Sequence, residues 1–318
     1  METQDQQTRR GRWAAVGAFG IWGMFPLFFA TLAPAGALEI SAHRVVWTFV
    51  LCVIVLAATG SLVASWRLLR NWRVVGRLAI GAIFLAMNWL VFVVAVEVGQ
   101  VVDASLGYFL NPLVSVALAV LVLRERLRPR QWLALVIAAT GAVVMVIGIG
   151  RVPWIAFVLA LSFGLYGLTK KQLGGQVDAG TGLTIETAVM LLPAVAYLWY
   201  LAVSGGSTFG ADVGIGGSVG HALLLVASGL VSAVPLLLFA AATARLPLAT
   251  VAMTQFLTPV MHLTVGVLVF NEPMSGARWV GFAFVWLALL LLTADLVQVN
   301  APHSFQRTRK NSAKRGRV

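Results

Sequence analysis

The sequence predicts an all-α membrane protein with ten transmembrane helices, and three observations carry this prediction. Of its 318 residues, 60% are hydrophobic and only 11% are charged, whereas a soluble domain has about 25% charged residues. The apolar residues form long runs near the roughly 20 residues that cross a bilayer as a helix. Lysine and arginine are confined to the chain ends and to alternate connections between these runs, as in polytopic membrane proteins.

The ten apolar runs predict helices in chain order, because they are too long for strands and none alternates with period two. Arg9, Arg10 and Arg12 precede the first run as in a signal peptide. Since that run is long and nine others follow it, we predict that it is retained as a helix. The predicted helices cover 13–32, 40–59, 77–96, 103–123, 131–150, 153–169, 182–203, 219–243, 248–270 and 277–297.

The net charge of +12 would suggest nucleic-acid binding in a soluble chain. Here it follows the positive-inside rule instead, because all 23 Lys and Arg residues except Arg44, Arg151 and Arg278 fall on one predicted side. We therefore predict a plasma (inner) membrane protein with both termini cytoplasmic. Its predicted partners are the lipid bilayer and a small molecule, and no nucleic acid.

An internal repeat divides the predicted helices into two groups of five. An offset of 147 residues aligns 86–132 with 233–279 and pairs Pro112 with Pro259 and Trp132 with Trp279. Because five is odd, the second copy must cross the membrane in the opposite orientation. Such inverted repeats are common in secondary transporters, whose sites lie near mid-bilayer. The predicted parts are a cytoplasmic segment 1–12, repeats 13–150 and 151–298, and a basic cytoplasmic tail 299–318.

The same offset pairs Glu125 with Glu272, at the C-terminal ends of the fourth and ninth predicted helices. A carboxylate at that end opposes the helix dipole. We therefore expect a compensating partner and a structural role for both residues.

Several motifs in both halves resemble a known family. They are Ile21-Trp22-Gly23, His43-Arg44-Val45-Val46-Trp47, Asn88-Trp89-Leu90, Ala104-Ser105-Leu106-Gly107-Tyr108-Phe109, Asn111-Pro112, Leu123-Arg124-Glu125-Arg126-Leu127, Gln131-Trp132, Ile185-Glu186-Thr187, Leu191-Leu192-Pro193, Thr258-Pro259 and Phe270-Asn271-Glu272-Pro273. The chain resembles the RarD branch of the EamA, or drug/metabolite, transporter superfamily over nearly all of 11–298. The resemblance implies two EamA-like repeats and an exporter of drugs or metabolites.

Polar residues inside the predicted helices are candidates for a substrate cavity, because a polar group in hydrocarbon needs a partner or water. Asn88 lies about 16 Å into the third helix, next to Trp89. Tyr108, Asn111 and Ser115 share a face of the fourth helix at spacings of three and four.

A matching stripe of Thr254, Thr258 and His262 lies on the ninth helix. For both stripes the alternative is hydrogen-bonded packing between helices. His262 could also couple transport to protons, because histidine titrates near neutral pH. A proton or another ion is therefore a candidate coupling partner.

Arg44 and Glu186 occupy equivalent positions in the two halves, so they should lie near opposite membrane surfaces rather than in contact. Each is a candidate gate for its own side. The alternative is that their side chains extend to the interface.

No residue pattern in the sequence predicts catalysis, a metal or another cofactor, and we do not expect an enzyme. The lone cysteine, Cys52, excludes an intrachain disulfide and a cysteine-based zinc site. Gly214 to Gly217 lack the strand–helix context of a nucleotide site. The main hypothesis is a secondary carrier. The alternatives are a channel-like facilitator and a non-transporting membrane scaffold.

Overall fold

A computed structural model of the chain describes residues 4–62, 68, 70–124, 127–173, 177–243, 245–246 and 248–300. Throughout these residues the regular secondary structure is helical. The predicted tail beyond residue 300 and Glu125 lie outside the described residues. The helices are α1 (Gln4–Gly23), α2 (Phe25–Ala30), α3 (Ala37–Ala58), α4 (Trp72–Glu97), α5 (Val101–Leu123), α6 (Pro129–Ile149), α7 (Trp154–Leu173), α8 (Ala179–Ser204), α9 (Gly217–Thr243), α10 (Leu248–Gln255), α11 (Leu257–Thr264) and α12 (Gly276–Asn300), with a π-helical turn at Val265–Val269 between α11 and α12.

The predicted all-α membrane fold is confirmed. Within the described residues, eight helical segments are long and apolar enough to cross a membrane. The other two predicted runs also form helices, namely α7 and the interrupted segment from α10 to the π-helical turn. Helices are thus present at all ten predicted runs.

Two of the predicted helices are interrupted, each close to a proline. The first breaks at Met24, two residues before Pro26 in the first turn of α2, and the ninth breaks at Phe256, shortly before Pro259. A proline lacks the N–H that would bind the carbonyl four residues earlier, and its ring crowds that carbonyl. Pro112 lies inside α5 without interrupting it.

The connections lie at two faces of the helical bundle. We call the face with the chain ends the terminal face; there Arg77 bonds the Gln172 carbonyl, and Arg128 pairs with Asp295. We call the opposite face the distal face. It carries the connections at 31–36, 98–100, 150–153, 205–216 and 270–275.

A close crossing of α3 and α9 positions the residues in the centre of the bundle. A Cβ atom on Gly229 would lie 2.4 Å from the Trp47 carbonyl carbon and 2.6 Å from the Thr48 nitrogen. Only glycine allows this approach. The hydroxyl of Thr48 donates a hydrogen bond to the Gly229 carbonyl across the contact. About one turn away on each helix, this crossing brings Arg44 to Ser232.

Candidate functional site

A cavity of about 410 Å³ lies in the centre of the bundle, within the size range of small-molecule sites. Most of its wall is apolar or aromatic. Its charged and polar lining residues are Arg44, Asn88, Tyr108, Asn111, Tyr166, Lys170, Asp178, Ser232, Gln255, Thr258 and His262.

The cavity reaches the terminal face at the connection between α7 and α8. Leu173, Val177 and Asp178 belong to its lining there, and Asp178 is exposed. Asp178 is also the N-cap residue of α8, where its carboxylate accepts a hydrogen bond from the Thr181 amide. Burial alone would raise the pKa of Asp178, but hydrogen bonds from Thr181 and nearby amides outweigh it and hold the pKa below its usual value.

The distal face is closed by hydrogen bonds around Glu39, a buried residue in the first turn of α3. Its carboxylate accepts bonds from the Thr208 amide at 2.7 Å, the Thr208 hydroxyl at 3.0 Å and the Ser207 hydroxyl at 3.1 Å. His221 contacts the same Thr208 hydroxyl, and the His43 ring stacks on Phe209. The connection between α8 and α9 is thereby held over the end of α3.

Further polar contacts tie the other distal connections. Glu272 accepts bonds from the amides of Val101 and Val102 at 2.5 and 2.9 Å. Its negative charge therefore faces the N-terminus of α5, where the helix dipole favours it; this is the compensation expected from the sequence. Asp103 binds both Arg151 and Arg278.

Arg44 lies at the distal end of the cavity and is only 3% exposed. Its Nε donates a 2.6 Å hydrogen bond to the Ser232 hydroxyl. The guanidinium carbon lies 4.2 Å from the Trp89 ring centroid and about 5 Å from those of Phe25 and Phe29. Within the described part of the chain, the Arg44 Nη1 has no hydrogen-bond partner.

Asn88 and Asn111 line the same cavity but differ in their partners. The Asn88 amide donates to the Leu159 carbonyl and to the Ser162 hydroxyl, both at 3.1 Å, and its oxygen accepts from Tyr108. Asn111 is buried, and neither the nitrogen nor the oxygen of its amide has a hydrogen-bond partner among the described residues. Asn88 therefore joins helices, whereas the hydrogen-bonding capacity of the Asn111 amide is unused.

Thr258 and His262 bind backbone carbonyls of α1. The Thr258 hydroxyl donates to the Phe19 carbonyl at 2.8 Å, and His262 Nε2 lies 2.9 Å from the Trp22 carbonyl. A carbonyl only accepts, so this nitrogen carries the proton. Trp22 lies four residues before Pro26, and its carbonyl is therefore one that the proline leaves without a helical donor.

Glu186 forms a buried ion pair beside the cavity. Its carboxylate is fully buried and lies 2.6 Å from Lys170 Nζ, and it accepts a 3.2 Å bond from the Tyr166 hydroxyl. Lys170 and Tyr166 line the cavity, while Glu186 lies behind them. Arg44 and Glu186 each lie seven residues, about 10 Å, inside their helices.

The cavity brings together seven of the ten residues singled out from the sequence. They are Arg44, Asn88, Trp89, Tyr108, Asn111, Thr258 and His262. Ser115 is exposed and lies outside the lining, and Thr254 bonds the Thr250 carbonyl within its own helix. Ser115 points between Tyr108 and Asn111 around α5, but it lies one turn, about 6 Å, further toward the terminal face, beyond the part of α5 that lines the cavity.

Sequence reasoning missed the partners of the two intramembrane charges. Ser232 gave no signal beyond being a small polar residue in an apolar run. Lys170 was interpreted only as an orientation charge, although Tyr166 lies on the same helix face four residues earlier. Phe25 and Phe29 show the same spacing, which is also typical of ordinary core packing. The described residues contain no cluster of three His, Cys, Asp or Glu side chains suited to a metal ion.

Comparison with known proteins identifies the family. Residues 9–147 match the EamA-like transporter family. Protein RarD of Streptomyces exfoliatus is 46% identical over 94% of this chain and 92% of its own length. This chain belongs to the RarD branch of the EamA transporter superfamily. Protein RarD of Escherichia coli K12 is 37% identical over 92% of this chain and 96% of its own.

Other similarities extend beyond the RarD name. The uncharacterized transporter YojE of Bacillus subtilis is 40% identical over 93% of this chain and 97% of its own. One crystal structure matches with a TM-score of 0.57 and 17% identity, over 88% of this chain and 96% of that chain. At that identity the match supports the fold alone. These similarities place the chain among multi-pass membrane transporters.

Proposed function

We propose that this protein is a secondary transporter that exports a small drug or metabolite across the plasma membrane by alternating access. One observation carries the proposal, namely a cavity of about 410 Å³ that reaches the terminal face while the Glu39 contacts close the distal face. The loop charges assign the terminal face to the cytoplasm. In this proposal the structure would be the state that loads substrate from inside.

The alternation is proposed to occur between two inverted halves, 13–150 and 151–298. The helix contacts support this arrangement. When each helix of a contacting pair is replaced by its equivalent in the other half, the new pair is also in contact. Contacts of α4 with α7, α3 with α9, and α5 with α7 correspond to those of α1 with α9, α4 with α8, and α1 with α11. Arg124 and Asn271, equivalent under the repeat, both have left-handed backbone angles.

Transport by the purified protein in liposomes tests the function. Labelled metabolites are screened with and without a pH gradient, and we expect saturable flux and counterflow for at least one class. Dependence on the pH gradient would favour His262 as the proton-coupling residue, to be checked with His262→Gln. Flux that rises linearly with concentration and shows no counterflow would instead indicate a channel-like facilitator.

A matched pair of variants tests the site. Asn111→Ala removes the unpartnered amide, and we expect transport to fall about tenfold, the loss of one buried hydrogen bond. Ser115→Ala lies one turn away on the same helix, outside the cavity, and should transport at the wild-type rate. Equal rates in both variants would contradict the assignment of the cavity.

Reporter fusions test the orientation. Fusions after Trp72 and Arg128 should report the cytoplasm, and fusions near Ser207 and Ser275 should report the opposite side. A cytoplasmic signal at Ser207 would contradict the ten-helix topology.

A further inference from the structure

We infer that Arg44 is an anion-binding group and that the cavity accepts a small organic carboxylate with an apolar, ring-sized body. This inference rests on the proposed transport function and adds the chemical class of its substrate. It follows from the partners of Arg44, the engagement of the nearby carboxylates and the composition of the cavity wall.

The Arg44 guanidinium is a buried cation without a counterion among the described residues. Its contacts are the neutral Ser232 hydroxyl and three aromatic faces, and Nη1 has no partner. No carboxylate among the described residues forms a salt bridge with it. A buried charge without an opposite charge is unfavourable in a membrane protein. A ligand carboxylate would supply that charge, and the guanidinium can bind both of its oxygens.

The carboxylate in the cavity lining, Asp178, and the one directly behind it, Glu186, are already engaged. Glu186 pairs with Lys170 and accepts the Tyr166 hydroxyl. Asp178 caps the N-terminus of α8 at the cavity opening and accepts a hydrogen bond from the Thr181 amide. Neither is available to balance Arg44, so the distal end of the cavity favours a negative group. A cationic ligand would place a second positive charge beside the guanidinium.

The wall indicates the rest of the ligand. Phe19, Trp22, Phe92 and Phe163 contribute aromatic surface, which suits an apolar or aromatic body. The Asn111 amide offers a nitrogen with two N–H donors and an acceptor oxygen, and neither atom has a partner among the described residues. The ligand is thus a carboxylate with an apolar body, and a hydroxyl or amide on that body would add a bond to Asn111.

Three probes with one carbon skeleton test the charge preference. They are 3-phenylpropionate, 3-phenylpropionamide and 3-phenylpropylammonium, measured by calorimetry on the full-length protein in lipid nanodiscs at neutral pH. Indolyl and branched-alkyl analogues of each head group extend the series. We expect the carboxylate to bind about tenfold to hundredfold more tightly than the amide, the range of one hydrogen bond to a charged group. We expect the ammonium probe to bind most weakly.

Variants of Arg44 connect the preference to its charge. Arg44→Gln should remove the difference between carboxylate and amide, whereas Arg44→Lys should keep part of it, because lysine retains the charge without the two-pronged geometry. Asn111→Leu should weaken binding of hydroxylated carboxylates while leaving the carboxylate-to-amide ratio of the plain probes unchanged. The wild-type ratio alone remains a test if an Arg44 variant does not fold.

Defined results overturn the inference. They are absence of saturable carboxylate binding for all three skeletons, equal binding of the amide or ammonium probe, or a preference that persists in folded Arg44→Gln. Transport failure is distinguishable from these. Carboxylate-selective binding without flux in liposomes would contradict the transporter proposal and support the anion site. Flux of neutral or cationic compounds alone would support the transporter proposal and contradict the anion site.

Discussion

The carboxylates of the distal face and two polar side chains of the central cavity differ in how they are partnered. At the distal face Glu39 accepts three hydrogen bonds and Asp103 binds two arginines. Among the described residues, Arg44 Nη1 and the Asn111 amide in the cavity have no partner, and at the distal face the ring nitrogens of His43 also lack one. Because an unpaired buried polar group is costly, its retention favours a ligand that pairs it. The carboxylate contacts tie the distal connections together, whereas the unpaired cavity groups are those that the proposed ligand would pair.

The largest expected effect is on stability and compares two carboxylates, Glu186 with one basic partner and Asp103 with two. Lys170→Met leaves the fully buried Glu186 with only Tyr166 as a partner, and should reduce the free energy of unfolding by about 3 kcal/mol. Arg151→Gln removes a half-exposed partner of Asp103, which keeps Arg278, and should cost less than about 1 kcal/mol. Thermal unfolding in nanodiscs measures both. Similar losses of stability in the two variants would show that the second arginine does not protect Asp103.

The second prediction opens the distal face. Glu39→Ala removes three hydrogen bonds from the connection between α8 and α9, so that end should open more often. A Ser228→Cys probe, buried on α9 one turn distal to Ser232, reports this in a Cys52→Ser background. We expect a membrane-impermeant thiol reagent added from the distal side to react about tenfold faster.

Glu97→Ala provides the control for the distal opening. Glu97 accepts a single bond from the Ala37 amide at the same face, so its loss should increase labelling of the probe much less. Unchanged labelling after Glu39→Ala would show that the Glu39 contacts do not close this face.

The third prediction concerns the balance between the two faces. Arg44→Ala breaks the contact of α3 with Ser232 on α9, and Glu186→Ala breaks the contact of α8 with Lys170 on α7. If the halves are inverted copies, the two variants should shift the carrier toward opposite states, by a few-fold in population. Cysteine probes on the outer and inner halves of α5, in the Cys52→Ser background, report accessibility. Identical accessibility in both variants and the parent would show that Arg44 and Glu186 do not control the balance between the two states.

The smallest expected effect separates Asn88 from Asn111. Asn88→Ala removes bonds to Leu159, Ser162 and Tyr108, and should lower the free energy of unfolding by about 1 to 2 kcal/mol as well as transport. Asn111→Ala removes no hydrogen bond and should lower transport with less than about 0.5 kcal/mol of destabilisation. A larger loss of stability in Asn111→Ala would show that this amide has a structural role.

The equivalent prolines show where sequence reasoning stopped. Pro112 and Pro259 align in the repeat, and both were expected within their helices. Yet α5 continues through Pro112, while the ninth helix is interrupted just before Pro259. Ser105 donates to the Pro259 carbonyl, and Thr258 binds α1. These neighbours come from other parts of the chain, so the alignment alone could not distinguish the two prolines.

The site was predictable as a set of candidates but not as a geometry. Depth along a helix follows from counting residues, which is why Asn88, Asn111 and His262 were identified. Which polar groups are paired depends on contacts between distant parts of the sequence, such as Arg44 with Ser232 and Glu39 with Thr208. Side-chain spacing on one helix contains no information about those partners.

The sequence by itself determined the membrane class, the ten helical runs and the family, because hydrocarbon requires long apolar helices whose backbone bonds are internal. These are local requirements, which each segment satisfies with its own residues. The tertiary structure decided which polar side chains meet, which face is closed and which groups remain unpaired. Those properties depend on helix crossings such as Gly229 against Trp47, where shape complementarity between separate segments sets the position of every neighbouring side chain.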